Sequence, residues 1–63
     1  MALQRGDYVI VPGGLSFDLS ALRWVNLAPQ MCGALQSIIG PNCHVKLDCG
    51  VVVARTLLQA ERL

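Results

Sequence analysis

The chain has 63 residues, of which 54% are apolar and only 14% are charged. This length allows one small domain, residues 1–63, and the composition excludes an intrinsically disordered tail, which would carry more charge and fewer apolar residues. Five Lys and Arg residues against four Asp and Glu residues are scattered along the chain, so the sequence offers no basic stripe for a nucleic acid.

The first predicted element is a β-hairpin over residues 7–19. Residues 7–11 (DYVIV) are rich in β-branched and aromatic side chains, and residues 15–19 (LSFDL) alternate apolar with polar. Between them, Pro12, Gly13 and Gly14 supply turn residues. The pattern predicts two antiparallel strands joined by a three-residue loop.

The next segment, residues 20–27, is compatible with two structures. Ser20 can cap a short helix, whereas residues 23–27 can extend as a third strand. The short helix or turn is favoured, and the choice decides which face Trp24 joins.

An amphipathic helix is predicted over about residues 29–39. Pro29 suits a first helical position, and Gly40 followed by Pro41 is a typical helix end. Apolar residues recur between them at the spacing of one helical face: Met31, Ala34, Leu35, Ile38 and Ile39.

A second hairpin is predicted over about residues 43–58. Cys43, Val45, Leu47 and Cys49 alternate with polar residues, which is typical of a strand with one wet face. Gly50 permits a reversal, and residues 51–58 form another run rich in β-branched side chains. The last five residues favour a terminal helical turn.

Together these elements predict an α+β fold of order ββ(α)αββ, a small sheet with one helix layer. Residues 8–11 are apolar on both strand faces, and residues 51–58 are nearly so, with only Arg55 and Thr56 polar; this pattern is typical of strands buried on both sides. One short helix covers only one face, so a partner chain is expected on the other; a tightly curled barrel is the alternative. The expected contact residues are Val9, Val11, Trp24, Val52, Ala54 and Leu58.

No catalytic, metal or cofactor site is predicted. The single histidine, His44, points to the opposite strand face from Cys43, which disfavours a thiol dyad. The three cysteines lack the close pairing of a zinc site and leave one thiol over in any disulfide scheme. They are expected to be reduced, small hydrophobic residues.

The sequence therefore favours a non-catalytic structural or interaction subunit that completes its core by homo-oligomerisation or by docking on a larger assembly, such as a virion or a multi-subunit complex. The alternative is a small regulatory protein that inhibits an enzyme or binds nucleic acid, for which Arg5, Arg23, Arg55 and Arg62 would have to converge. No transmembrane segment or secretory signal is predicted, and an intracellular location, cytoplasmic or within a large assembly, is expected.

Overall fold

The computed structural model describes residues 2–63, and these residues form a single antiparallel β-sheet. Its strands are β1 (Tyr8–Asp18), β2 (Arg23–Ile39), β3 (Asn42–Leu47), β4 (Val52–Thr56) and β5 (Glu61–Arg62). Their order across the sheet is β4-β3-β2-β1-β5. The predicted α+β fold is therefore wrong, since the described residues contain no helix.

The predicted helix over residues 29–39 is instead the second half of β2, a strand of 17 residues. This half pairs with β1 on one side and with β3 on the other, so that Ala34 lies opposite both Tyr8 and Lys46. Gly33 disfavours a helix by about 1 kcal/mol relative to alanine and lets β3 approach closely. Pairing on both sides outweighs the helical spacing of the apolar residues.

The predicted first hairpin over residues 7–19 is also wrong, because these residues form one strand rather than two. Pro12, Gly13 and Gly14 lie within β1 at an irregularity where Ala28 and Pro29 of β2 oppose Gly13 alone. This is the geometry of a β-bulge. A side chain at position 13 would overlap the Ala28 carbonyl oxygen.

The bulge exchanges the two faces of β1. Before it, Val9 and Val11 point into the core, and beyond it Ser16 and Asp18 do so. Since strand side chains alternate, the apolar residues of the second half lie on the outer face. Leu15 is accordingly 69% exposed.

The ambiguous segment 20–27 resolves into a turn and a strand. Residues 19–22 form the turn between β1 and β2, and β2 begins at Arg23. The Leu22 N–H donates to the Asp18 carbonyl at 2.7 Å. Trp24 therefore lies directly opposite Phe17 in the β1–β2 hairpin.

The second predicted hairpin is confirmed as β3 and β4, in which Val45 lies opposite Val53. Cys43, Val45 and Leu47 point into the core, as their alternation predicts. Cys49 is exposed in the connecting turn, where Gly50 has a φ of +93°. The terminal helical turn is wrong, since β5 pairs there with β1.

The sheet curls so that one chain encloses its own core. The Leu19 N–H at the end of β1 donates to the Val52 carbonyl of β4 at 2.8 Å, although β1 and β4 lie on opposite sides of β2 and β3 in the sheet order. The core residues are Val9, Val11, Leu35, Cys43, Val45, Leu47, Val53 and Ala60. The curl takes the place of the predicted helix layer, as in the barrel alternative.

Among residues 2–63 there is no helix of the length and apolarity needed to cross a membrane.

Gly33→Ala is expected to destabilise the fold by about 2 kcal/mol or more, because overpacking forces backbone shifts. The added Cβ would overlap the Lys46 carbonyl and lie 2.6 Å from the Leu47 Cα. Urea unfolding followed by circular dichroism measures the loss. Ala34→Gly is the matched control on the same strand, and a cost equal to that of the control would contradict the close β2–β3 approach.

Candidate interaction surface

The buried carboxylate of Asp18 fixes the closed end of the β1–β2 hairpin. Its Oδ1 accepts hydrogen bonds from the Ser20 hydroxyl at 2.7 Å, from the Ser20 N–H at 2.9 Å and from the Val52 N–H at 3.2 Å. The Ser20 hydroxyl bond, with the backbone donors, lowers the pKa of the Asp18 carboxyl against the opposing effect of burial. One carboxylate thus joins the turn to the start of β4.

Arg55 of β4 makes the second link across the curl. Its Nε donates to the Pro12 carbonyl at 2.9 Å, and its Nη2 donates to the Ser16 hydroxyl at 2.7 Å. The Ser16 hydroxyl in turn donates to the Gly14 carbonyl at 3.2 Å. Burial lowers the pKa of Arg55 and raises that of the nearby Cys43 thiol. Two of the donors of the guanidinium therefore link β4 to β1, while its Nη1 donates to the Ala54 carbonyl of β4 at 2.8 Å.

The outer face of the hairpin carries an exposed apolar surface. We call Leu15, Phe17, Leu22 and Trp24 the hairpin patch. Leu22 is 74% exposed and Trp24 is 66% exposed. The Phe17 and Trp24 rings meet edge to face, with centroids 5.3 Å apart and an interplanar angle of 74°. This geometry is a favourable one for aromatic pairs, so the indole is held in place although it faces solvent.

Leu22 stands at the tip of the patch in a strained backbone conformation. Its φ is +55°, and it is the only non-glycine residue with a positive φ among the described residues. The left-handed region costs a β-carbon-bearing residue roughly 1–2 kcal/mol. A leucine side chain nevertheless occupies this position and is exposed.

Two shallow grooves lie elsewhere on the surface. An apolar groove of about 350 Å³ is lined by Ala2, Leu3, Ile38, Leu57 and Leu58. A mixed groove of about 360 Å³ is lined by Ile39, Asn42, His44, Ala54, Arg55, Thr56 and Gln59. Neither groove contains a cluster of three or more metal-ligating side chains, and no other part of residues 2–63 does.

The structure does not bring the six expected contact residues together on one surface. Val9 and Val11 lie in the core, and Val52 is half-buried beside Asp18. The other three are exposed but separate: Trp24 in the hairpin patch, Leu58 in the apolar groove and Ala54 in the mixed groove.

Leu15 and Leu22 were missed as surface residues by the sequence argument. The adjacent glycines at positions 13 and 14 are the sequence feature that could have indicated a change of face, because glycine within a strand often marks a bulge. Nothing in the sequence marks the exposed leucine at position 22.

The cations named for the nucleic-acid alternative are partly engaged within the fold. Arg62 pairs with Asp7 at 2.7 Å, and Arg55 bonds to β1. The Gln4 N–H and then Arg62 lower the pKa of the Asp7 carboxyl.

On the outer face, the Tyr8 hydroxyl donates a hydrogen bond to the Asp48 carboxylate. This bond raises the pKa of Tyr8 to about 12.

Acid is expected to destabilise the chain through Asp18. A carboxyl whose pKa is lowered in the folded state contributes stability above its unfolded pKa of about 3.9, and this stability is lost as the pH falls through the folded value. The melting temperature should therefore decline from pH 5 to pH 2. Asp18→Asn should make that decline shallower, and Asp7, whose pKa is also lowered, should supply a further part of it.

Thermal melts across this pH range, followed by circular dichroism, measure the effect. Asp7→Asn is the matched control on the other shifted carboxyl. An unchanged pH profile in Asp18→Asn would contradict the closing role given to this carboxylate.

Leu22→Gly is expected to raise the free energy of unfolding by about 1 kcal/mol, because glycine adopts a positive φ without the steric cost. The gain is smaller than the full relief of strain, since glycine also gains freedom in the unfolded chain. Urea unfolding measures it. Leu58→Gly, at another exposed leucine in a turn, should show no such gain, and a loss in Leu22→Gly would contradict the strain at this position.

Comparisons with known proteins add no relative: no protein-family model matches the chain, and no match is found among curated proteins or solved structures. The functional argument therefore rests on the geometry of residues 2–63.

Proposed function

We propose that the chain is a non-catalytic structural or interaction subunit, with the hairpin patch as its contact surface. The observation that carries this proposal is the placement of Leu15, Leu22 and Trp24 outside a core that the chain already closes by itself. Their exposure adds nothing to folding. Apolar side chains that are clustered and solvent-exposed are typical of surfaces that bind other molecules.

The inversion of polarity along the second half of β1 supports the same function. Ser16 and Asp18 are each 3% exposed, whereas Leu15, one position before Ser16, faces solvent. Burying polar groups requires partners for them, and the structure supplies these through Ser20, Val52 and Arg55. The hairpin therefore keeps its polar side inward and presents its apolar side to a partner.

Trp24 is the residue of the patch from which a partner would gain most. Tryptophan is enriched among the few residues that dominate binding energy, and it loses little conformational entropy when it is already held. The edge-to-face contact with Phe17 holds it here. The sequence argument attributed association to a missing layer of the core. In this proposal the partner covers the hairpin patch instead, because the chain already closes its own core.

Site-specific photocrosslinking in the cells that make the protein tests the proposal. A benzophenone side chain at position 15 or 22 is expected to give a crosslinked protein adduct, because Leu22 lies two residues from Trp24 and Leu15 lies two residues from Phe17, which is opposite Trp24. The same group at Gln36, an exposed position outside the patch, is the control. The same group at Leu58 tests the apolar groove separately.

Adducts from positions 15 and 22 that are lost in Trp24→Ser, while circular dichroism shows an unchanged fold, would support the hairpin patch. Equal yields at the patch and at Gln36, or adducts from Leu58 alone, would overturn it.

A further inference from the structure

The longest unpaired strand edge of residues 2–63 belongs to β2. β3 pairs with β2 only from Gly33 to Ile39, and beyond this the Asp48 N–H donates to the Cys32 carbonyl. Arg23–Met31 pairs with β1 on one side, and no strand among the described residues lies on its other side. The backbone groups on that side are a template for a further strand.

Proteins usually protect such an edge, and here the protection covers only one end. Pro29 and the bulge at Ala28 interrupt the far half, since proline lacks an N–H and a bulge disrupts the ladder. Arg23 is the only charged residue from position 19 to position 45. The stretch from Trp24 to Ala28 is therefore uncharged, regular up to the bulge and open.

We infer that this edge pairs with the same edge of a second copy of the chain, antiparallel and about a twofold axis beside Val25 and Asn26, so that the two sheets become one. This inference goes beyond the proposed function, because the pairing joins the hairpin patches of two copies and leaves them free for a partner that covers them. A twofold axis perpendicular to the sheet keeps the inner and outer faces of both copies in register. The contact is isologous, so one surface serves both partners.

The single charge favours this arrangement over a parallel one. Parallel pairing in register would place the two Arg23 side chains next to each other, and like charges directly opposite are destabilising. Antiparallel pairing about Val25 and Asn26 separates them by four to six residues, or roughly 13–20 Å along the strands. That separation exceeds the screening length of about 8–10 Å at moderate salt.

The side chains on the outer face also fit this pairing. Each Trp24 lies opposite Asn26 or Ala28 of the other copy, so a large ring meets a smaller residue and the two indoles do not compete for the same space. Leu15 and Phe17 lie on the same face of the neighbouring strand and continue the apolar surface. The hairpin patches of the two copies then form one continuous surface across the axis.

The paired stretch is short, which fixes the expected strength of the dimer. About six residues from each copy place the interface at the small end of the range, below about 1,200 Å² in total, where association is reversible. The dimer is therefore expected to form and dissociate with concentration rather than to be permanent.

Sedimentation velocity of the full chain, with reductant present, tests the inference. The variants introduce a positive or a negative charge at Asn26, next to the proposed twofold axis. The wild type should shift from monomer to dimer as concentration rises. Asn26→Lys and Asn26→Glu should each remain monomeric at concentrations where the wild type is mainly dimeric, because each places like charges within about 5–8 Å of each other across the axis. An equimolar mixture of the two should recover the dimer. Gln36→Lys, on the β3-paired half of β2, should dimerise as the wild type does.

Hydrogen exchange of the wild type provides a measurement that depends on no variant. Amides in residues 23–28 should gain protection with concentration, while those of β4 should not. A wild type that stays monomeric to millimolar concentration overturns the inference, as does a dimer that Asn26→Lys leaves intact. The proposed function fails separately, when positions 15 and 22 crosslink no more protein than Gln36.

Discussion

The exchange of faces at Gly13 and Gly14 is the constraint on which the rest of this structure depends. Because Ala28 and Pro29 oppose Gly13 alone, β1 points Val9 and Val11 inward before the bulge and different residues inward after it. In a regular strand the faces alternate without interruption, so Leu15 and Phe17 would point to the same face as Val9 and Val11. Here the exchange gives β1 an apolar inner face in its first half and a polar inner face in its second half.

The inner consequence of the exchange is closure of the sheet. Ser16 and Asp18 come to lie under β4, where Arg55, Val52 and Ser20 satisfy them, and these bonds hold the curled sheet without a helix layer. The outer consequence is the hairpin patch, in which Leu15 and Trp24 face solvent. One backbone irregularity therefore accounts both for a core that the chain closes by itself and for an exposed apolar surface.

The sequence predicts the second half of the fold better than the first. The alternation of residues 43–47 and the glycine at position 50 are local features, and β3, β4 and their turn follow them. Residues 29–39 carry apolar side chains at helical spacing, yet they form a strand because two neighbouring strands pair with them and Gly33 admits the closer one. Such pairing is non-local and leaves no trace in a short window.

The expected contact residues show the same division. Trp24 lies on the exposed surface, in a sequence segment that also contains polar residues. Val9 and Val11 were expected on a second, exposed face of the sheet, but the curl of the sheet encloses them in the core. The predicted partner was inferred from a missing layer, and the curl supplies that layer. What could not be foreseen is that the exposed apolar surface, which we propose as the contact surface, would come from the strand half whose inner side is polar.

The surroundings of the single tryptophan test this account most directly. Nuclear Overhauser effects from the Trp24 indole should reach the Phe17 ring, since the two residues are directly opposite and their ring centroids are 5.3 Å apart. They should not reach the core methyl groups of Val9, Val11 or Leu35. Effects from the Phe17 ring to core methyl groups, with none between Phe17 and Trp24, would mean that β1 does not exchange its faces, and the account would be contradicted.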